Sequence, residues 1–236
     1  MSRIPPSAGL RVMTYNVGNG LAPASRLAEV IRASLADVVG LQEVTADQEA
    51  GLRRLLGDDY PYQILHGDGI PGKGLLSRHP IVEGERLHSH PARPDLRATI
   101  DAAGRTFQVA VVHPEPPRLH ARGLRSRPHT AAQFDRLVSL AAHELPLVLL
   151  GDFNMTRLQA QYRRVTAAGL VDAFFVAGRG FGQTFPLRRG RMPLLPVLRL
   201  DYIWLSSQLE PLSAHVGRDA GSDHLPVIAD LRWRPC

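Results

Sequence analysis

The feature that most constrains the fold is a series of seven short apolar runs, each bounded by Gly, Pro or Asp. Their length and their Val, Ile and Leu content are typical of strands, several of them buried on both faces. The runs span residues 10–15, 37–41, 74–76, 107–112, 147–150, 200–205 and 225–231. No run approaches the roughly 18 apolar residues that a membrane-spanning helix needs, so we expect no transmembrane segment.

Helical patterns lie between these runs. Apolar residues recur at helical spacing in two places, at 27, 30, 31 and 35 and at 134, 137, 138 and 141. A Thr followed three residues later by Gln is typical of a helix capping box, and it occurs at Thr45, Thr130 and Thr156. These pairs predict helices that begin directly after the three threonines.

The order of the elements indicates the sheet type. Two long stretches, Tyr60–Val112 and Thr184–Trp233, are rich in strand patterns and contain no helix, which favours antiparallel sheets with helices on their outer faces. The irregular segments Pro114–Pro128 and Gly178–Arg199 are interpreted as active-site loops. We therefore predict one domain over residues 10–233 after an N-terminal tail of residues 1–9.

Polar residues cluster at the ends of the apolar runs, where a strand holds a side chain rigidly yet leaves it accessible. Any one of them could be an ordinary turn or cap residue. Five such groups in one chain favour a functional site. They are Thr14-Tyr15-Asn16, Gln42-Glu43, Gly151-Asp152-Phe153-Asn154, the Asp201 that opens LDYIW, and Ser222-Asp223-His224.

Together these groups resemble the motifs of the endonuclease/exonuclease/phosphatase superfamily of DNase-like, metal-dependent phosphoesterases. The resemblance runs from Leu10 to Leu231, and the motifs follow the family's order: TYN at 14–16, QE at 42–43, LLSRHPI at 75–81, His113 after a strand, GDFN at 151–154, LDYIW at 200–204 and SDHLPV at 222–227. It implies an α/β four-layer sandwich, with two mostly antiparallel sheets flanked by helices.

A metal site can be argued from the residues themselves. Glu43, Asp152 and Asp223 offer hard oxygen ligands, and no Cys or paired-His spacing for zinc is present, so the expected ion is Mg²⁺ or Mn²⁺. We predict Glu43, Asn16 and Asp223 as the metal residues. The alternative for Glu43 is a carboxylate that merely stabilises the N-terminus of the following helix.

The resemblance also implies catalytic roles. Asp152 orients or deprotonates the attacking water, and Asn154 holds the water or the phosphate, although both could instead form an Asx turn. His224, kept protonated by Asp201, donates to a phosphate oxygen. His113 corresponds to a second phosphate-binding histidine or, because its motif reads VHP where the family usually has THL, is merely structural.

Charge bears on the substrate. The net charge is +6, which suits a polyanionic partner, although an arginine excess with Lys73 as the single lysine also follows from GC-rich coding. Arg118, Arg122, Arg125 and Arg127 are predicted to bind substrate phosphates, or alternatively form a solvated face. Lys73 itself is interpreted as a solvated turn residue.

The loop of residues 188–198 combines arginines with the apolar stretch Met192–Leu198. This combination suits an anionic lipid surface or single-stranded nucleic acid, or a loop that packs on the core. The resulting prediction is a monomeric, cytoplasmic, Mg²⁺-dependent phosphodiesterase, foremost a nuclease acting on DNA. The alternatives are a phospholipid or small-molecule phosphodiesterase or phosphatase, and a non-catalytic binding protein on the same scaffold.

Overall fold

The computed structural model describes residues 9–120, 123–125, 128–142, 144–189 and 192–235. Two six-stranded sheets pack face to face, and helices cover their outer surfaces. This is the four-layer arrangement that the resemblance implies. Each sheet contains one parallel strand pair and is otherwise antiparallel, so the prediction of mostly antiparallel sheets is confirmed.

The first sheet has the strand order β15-β16-β1-β2-β4-β3, and its parallel pair is β1 and β2. Its strands are β1 (Gly9–Asn16), β2 (Val38–Gln42), β3 (Tyr62–His66), β4 (Lys73–Ser77), β15 (Leu209–Val216) and β16 (Val227–Trp233). Gly9, assigned to the tail from the sequence, pairs with Arg232 in β16, so the strand begins one residue earlier than predicted. Residues 1–8 of that tail lie outside the described residues.

The second sheet has the order β11-β14-β10-β7-β6-β5, and its parallel pair is β7 and β10. Its strands are β5 (Ile81–Leu87), β6 (Asp95–Ala102), β7 (Arg105–Val112), β10 (Leu147–Asp152), β11 (Val171–Asp172) and β14 (Asp201–Leu205). Two small hairpins complete the strands, β8 (Arg118–His120) with β9 (Gly123–Arg125) and β12 (Arg188–Arg189) with β13 (Met192–Pro193). All seven apolar runs therefore contribute strands.

The helices are α1 (Ala24–Ser34), α2 (Ala46–Leu56), α3 (Pro128–Leu140), α4 (Ala160–Ala167) and α5 (Ala173–Ala177). The capping box of Thr45 and Gln48 is confirmed at the start of α2. The capping boxes predicted at Thr130 and Thr156 are wrong. Helix α3 already begins at Pro128, whose fixed φ suits the first helical turn, and α4 begins after Gln159. Within the described residues, no helix is long and apolar enough to cross a membrane.

The strands divide their side chains between separate cores. In β1, Leu10 and Val12 enter the core between the sheets, whereas Met13 and Tyr15 pack against α1 and α2 on the outer face. The second sheet forms an equivalent outer core with α3 and α4. The sheets approach closely at Gly40, where an added Cβ would lie 2.9 Å from the Leu150 Cβ.

Candidate active site

Six of the predicted site residues line one cavity of about 450 Å³ at the edge of both sheets, namely Glu43, His113, Asp152, Asn154, Asp223 and His224. Asn16 and Asp201 contact this lining from behind, through Asp152 and His224. Parallel strands bring their carboxyl ends to the same edge, so Asn16 and Glu43 follow from β1 and β2, and His113 and Asp152 from β7 and β10. Antiparallel β14 begins at that edge, where Asp201 lies directly opposite Asp152. The sheet packing thus joins residues that are far apart in sequence.

Asn16 links the two central carboxylates. Its Nδ2 donates to Glu43 Oε1 at 3.2 Å and to Asp152 Oδ2 at 3.0 Å. Its Oδ1 accepts the backbone N–H of Gly18 at 3.0 Å. In this orientation Asn16 positions the carboxylates through its donor nitrogen, and its role as a metal ligand stays a prediction.

Glu43 occupies the left-handed backbone region, with a φ of 60°. A non-glycine residue there is held by its surroundings, because the conformation costs about 1–3 kcal/mol. Burial raises the pKa of Glu43 above its usual value, the hydrogen bond from Asn16 opposes this change, and the Asp223 carboxylate raises the pKa further. Such crowding of carboxylates is typical of sites that bind divalent cations.

The loop that carries Asp223 and His224 is fixed against the end of β1. Ser222 Oγ donates to the Asn16 carbonyl oxygen at 2.7 Å and accepts the His224 N–H at 3.2 Å. Gly18, with a φ of 72°, allows this approach, since an added Cβ would lie 2.9 Å from Ser222 Oγ. The tight packing explains how residues from opposite ends of the chain share one site.

His224 forms the predicted pair with Asp201. Its Nδ1 lies 2.9 Å from Asp201 Oδ2, and its Nε2 lies 3.6 Å from Asp152 Oδ2. Burial alone would lower the pKa of His224, but Asp201 and Asp152 outweigh it and raise the pKa to about 10. The imidazole is therefore protonated at neutral pH and faces the cavity with a donor nitrogen.

Asp152 is buried among these groups, and burial raises its pKa well above the usual value of a carboxyl. Asp152, Asp201 and His224 also offer ligand atoms within 4.8 Å of one another, so the cluster could hold a metal ion. The direct hydrogen bond between His224 and Asp201 nevertheless favours an imidazolium–carboxylate pair. Glu43 and Asp223 are the carboxylates that remain for a cation.

Asn154 lines the cavity, and the Asx turn considered from the sequence is present beside it. The N–H of Asn154 donates to Asp152 Oδ1 at 2.9 Å. Its Nδ2 donates to the Pro114 carbonyl oxygen at 3.0 Å, and its φ is 48°. The turn and the site are therefore not exclusive alternatives, while contact of Asn154 with phosphate or water stays a prediction.

His113 is buried, and its Nε2 lies 3.2 Å from Arg93 Nη1. A guanidinium only donates hydrogen bonds, so His113 Nε2 accepts and the ring is neutral. Burial and the nearby cations Lys73 and Arg93 lower the pKa of His113 well below its ordinary value. In this arrangement Arg93 supplies the positive charge at the position where a phosphate-binding histidine is expected.

The sequence patterns gave no signal for Arg93, which lies between Pro91 and Pro94 in the loop before β6 and lines the cavity. They also missed Phe185, whose ring centroid lies 4.7 Å from that of His224. Its position in the loop of residues 178–199 confirms that this loop reaches the site. Pro116 and Pro117 bring the other predicted loop to the same cavity.

The interpretation of Lys73 as a solvated turn residue is wrong. Lys73 opens β4 with only 2% of its surface exposed, and its Nζ donates to the Pro71 carbonyl oxygen at 2.9 Å. Burial lowers the pKa of Lys73 to about 8, and the buried carboxylate of Asp95 opposes this change. Lys73 is buried because β4 pairs with a strand on each side, so that Lys73 lies between Gln42 in β2 and His66 in β3.

The four predicted substrate-binding arginines are only partly described. Arg118 is exposed, faces Arg125 across the β8–β9 hairpin, and does not line the cavity. Arg122 and Arg127 lie outside the described residues, as does the side chain of Arg125. Their contact with substrate stays a prediction.

Comparison with known proteins identifies the family. The model of the Endonuclease/Exonuclease/phosphatase family matches residues 13–224, which is most of the chain. The protein belongs to this family. Its fold is that of the family, and membership makes it a phosphoesterase hydrolase.

Individual relatives cover nearly the whole chain. The Escherichia coli (strain K12) protein YbhP is 27% identical, over 94% of this chain and 95% of YbhP. The crystal structure of an endonuclease/exonuclease/phosphatase from Beutenbergia cavernae has 27% identity and a TM-score of 0.76, covering 96% of this chain and 72% of that one. Zebrafish (D. rerio) TDP2, complexed with a single-strand DNA product, shares the fold at 18% identity, with a TM-score of 0.70 over 95% and 99% of the chains.

Proposed function

We propose that this protein is a divalent-metal-dependent phosphodiesterase that hydrolyses its substrate by direct attack of water. The observation that supports this most is the buried Asp152 carboxylate, which lies 3.6 Å from His224 Nε2 and 3.0 Å from Asn16 Nδ2 inside the cavity. A base next to a protonated donor is what in-line hydrolysis requires. A binding protein on the same scaffold would not need to keep both groups.

The donor set fits a divalent cation. Glu43 and Asp223 provide carboxylate oxygens at the same rim of the cavity, and Mg²⁺ and Mn²⁺ prefer such hard ligands. When bound, the cation polarises the phosphate and offsets the charge that develops on the leaving oxygen. We therefore assign Glu43 and Asp223 to hold it.

The protein groups then have separate tasks. Asp152 accepts a proton from a water molecule while the water oxygen attacks phosphorus. The bond from phosphorus to the leaving oxygen then breaks. The imidazolium of His224 donates to a non-bridging phosphate oxygen, and Asp201 keeps it protonated and oriented. Arg93, which also lines the cavity, contributes a second donor.

The charge balance favours a diester over a monoester. Among the described residues that line the cavity, Arg93 and His224 are the cations, and His113 is neutral. A phosphomonoester carries about 1.5 to 2 negative charges at pH 7, whereas a diester carries one. With three carboxylates in the same cavity, the singly charged substrate is the better match.

DNA is one candidate substrate of such a phosphodiesterase. The net charge of +6 favours a polyanion. The likeness to TDP2, which is complexed with a single-strand DNA product, supports the same reading at the level of the fold. Binding that weakens steeply with salt would identify such a substrate.

The test uses two chromogenic substrates, bis(p-nitrophenyl) phosphate and p-nitrophenyl phosphate, with Mg²⁺, Mn²⁺ or EDTA. We expect faster hydrolysis of the diester, loss of activity in EDTA, and at least about a tenfold loss in Glu43→Gln because one of few charged ligands is neutralised. Asp152→Asn is the inactive blank, and Asp47→Asn in the first turn of α2 is the exposed control. Equal activity in EDTA would contradict the proposal.

A further inference from the structure

The large hydrophobic side chains that the structure leaves exposed are concentrated in one segment. Of thirteen among the described residues, eight lie within residues 156–200. Three of them are almost fully exposed: Phe181 at 91%, Leu158 at 87% and Leu195 at 86%. Exposed apolar side chains that cluster on a surface mark an interaction site.

Five of these eight side chains border a groove that shares lining residues with the catalytic cavity. The groove encloses about 490 Å³, and its apolar wall contains Leu158, Phe175, Phe181, Val197 and Leu198. Thr156 and Leu198 line both the groove and the catalytic cavity. A molecule with an apolar portion in the groove can therefore reach the reacting groups with an adjoining phosphate.

The most exposed apolar groups lie on separate parts of the segment. Phe181 stands between Gly180 and Gly182, whose positive φ values of 82° and 77° make a tight turn that projects the ring outward. Leu158 precedes α4, and Leu195 follows the β12–β13 hairpin. Projecting apolar tips of this kind suit insertion into the boundary between lipid headgroups and acyl chains.

The same segment is strongly basic. Residues 156–200 contain eight arginines and a single acidic residue, Asp172, so their net charge of +7 exceeds the +6 of the whole chain. The Asp172 carboxylate is paired inside the protein, because both of its oxygens accept hydrogen bonds from Arg199. Arg157 lies 3.7 Å above the Phe175 ring and places a cation beside the apolar groups. Among the described side chains, Arg164 and Arg188 pair with Asp135 and Asp219 outside the segment. The exposed Arg157, Arg163 and Arg179 are the ones whose charge is complementary to anionic lipid headgroups.

We propose that the described part of this segment, residues 156–189 and 192–200, forms a docking surface for an anionic phospholipid bilayer, and that the substrate is a phospholipid whose acyl chain occupies the groove. The inference rests on the proposed phosphodiesterase function and names its substrate class. Water adds to phosphorus, the ester bond between phosphorus and the diacylglycerol oxygen breaks, and that oxygen takes up a proton, so the products are diacylglycerol and a water-soluble headgroup phosphate. Aliphatic tips such as Leu158 and Leu195 favour lipid over nucleic acid, because they cannot stack on bases as aromatic rings do.

The experiment compares binding of the full chain to vesicles of phosphatidylcholine with and without phosphatidylglycerol, measured by flotation. The test variant carries Leu158→Ser, Phe181→Ser and Leu195→Ser, which change exposed side chains and leave the core intact. The matched control carries Val82→Ser and Leu212→Ser, exposed hydrophobic residues outside the segment. We expect binding only to the anionic vesicles, a loss of at least about tenfold in the test variant, and none in the control.

Hydrolysis is measured on the same vesicles and on bis(p-nitrophenyl) phosphate. The test variant should lose release of water-soluble phosphate product from vesicles yet hydrolyse the small diester at the unmodified rate. Equal vesicle binding by both variants would overturn the docking surface, as would a loss confined to DNA binding or to self-association of the chain. Absence of small-diester hydrolysis in the unmodified protein would instead contradict the proposed function itself.

Discussion

At the scale of single residues, the site works through the charges that its side chains impose on one another. Asp201 and Asp152 hold His224 protonated, and Arg93 holds His113 neutral by donating to its Nε2. Two histidines in one cavity thus carry different charges because their partners differ. The positive charges among the described residues that line the cavity are those of His224 and Arg93, and in the proposed reaction both serve the phosphate.

Arg93→Ala should therefore lower kcat/KM for the diester by at least about tenfold, since a charged donor to the phosphate is removed. Arg93→Lys should recover only part of the loss, because a lysine lacks the planar pair of donors. Arg86→Ala, which removes the exposed partner of Asp68, serves as the control. Unchanged kinetics in Arg93→Ala would assign Arg93 a purely structural role.

The pH profile tests the pair of His224 and Asp201. The protonated imidazole is the active form, so activity is present below the raised pKa of about 10 and falls as pH rises through it. Asp201→Asn removes the carboxylate that raises this pKa. The pH above which kcat declines should then move downward, and a profile that does not move would exclude Asp201 from this role.

At the scale of elements, local signals place the start of α2 next to the site. The Thr45 N–H donates to Gln48 Oε1 at 3.0 Å, and Thr45 Oγ1 accepts the Gln48 N–H at 3.4 Å. This reciprocal cap begins two residues after Glu43 and fixes the chain where it leaves β2. A helix signal in the sequence therefore also supports a residue of the site.

Thr45→Ala should lower the free energy of unfolding by about 1 kcal/mol, because the backbone donors at the start of α2 lose their partner. Urea denaturation measures this change. Thr166→Ala, whose hydroxyl only donates to the Arg163 carbonyl oxygen on an exposed helix surface, should leave stability nearly unchanged. Equal stabilities of the two variants would show that the cap contributes nothing.

At the scale of the whole molecule, the site exists because the two sheets pack closely enough for their edges to share side chains. Gly40 is one point of closest approach, with Leu150 on the facing strand. A second contact between the sheets lies at the site, where Asn16 from the first sheet donates to Asp152 from the second. Sheet separation and catalytic geometry are thus physically linked.

Gly40→Ala should lower the free energy of unfolding by about 1–3 kcal/mol, because the added methyl overlaps Leu150 and forces the sheets apart. It should also lower activity, although Gly40 does not line the cavity. Gly57→Ala is the control, because Gly57 follows α2 in the right-handed helical conformation that alanine also adopts. Full activity and stability in Gly40→Ala would show that the sheets tolerate a wider separation.

The sequence by itself determined the elements whose signals are local. Seven apolar runs gave seven central strands, and the periodicity around Leu27 and the Thr45 capping pair gave α1 and α2. The order of the polar motifs was sufficient to identify the family and to predict most of the residues that meet in the cavity. Strands such as β3, β5 and β15 were not predicted, because their exposed faces interrupt the apolar pattern.

Only the tertiary structure decided what depends on contacts between distant parts of the chain. Lys73 is buried because strands pair on both sides of it, and Arg93 enters the site because a loop with no motif folds over the cavity. The exposed groove of residues 156–200 likewise depends on which apolar side chains the core leaves uncovered. Burial, protonation and exposure are set by neighbours across the sheets, and no local pattern in the sequence specifies those neighbours.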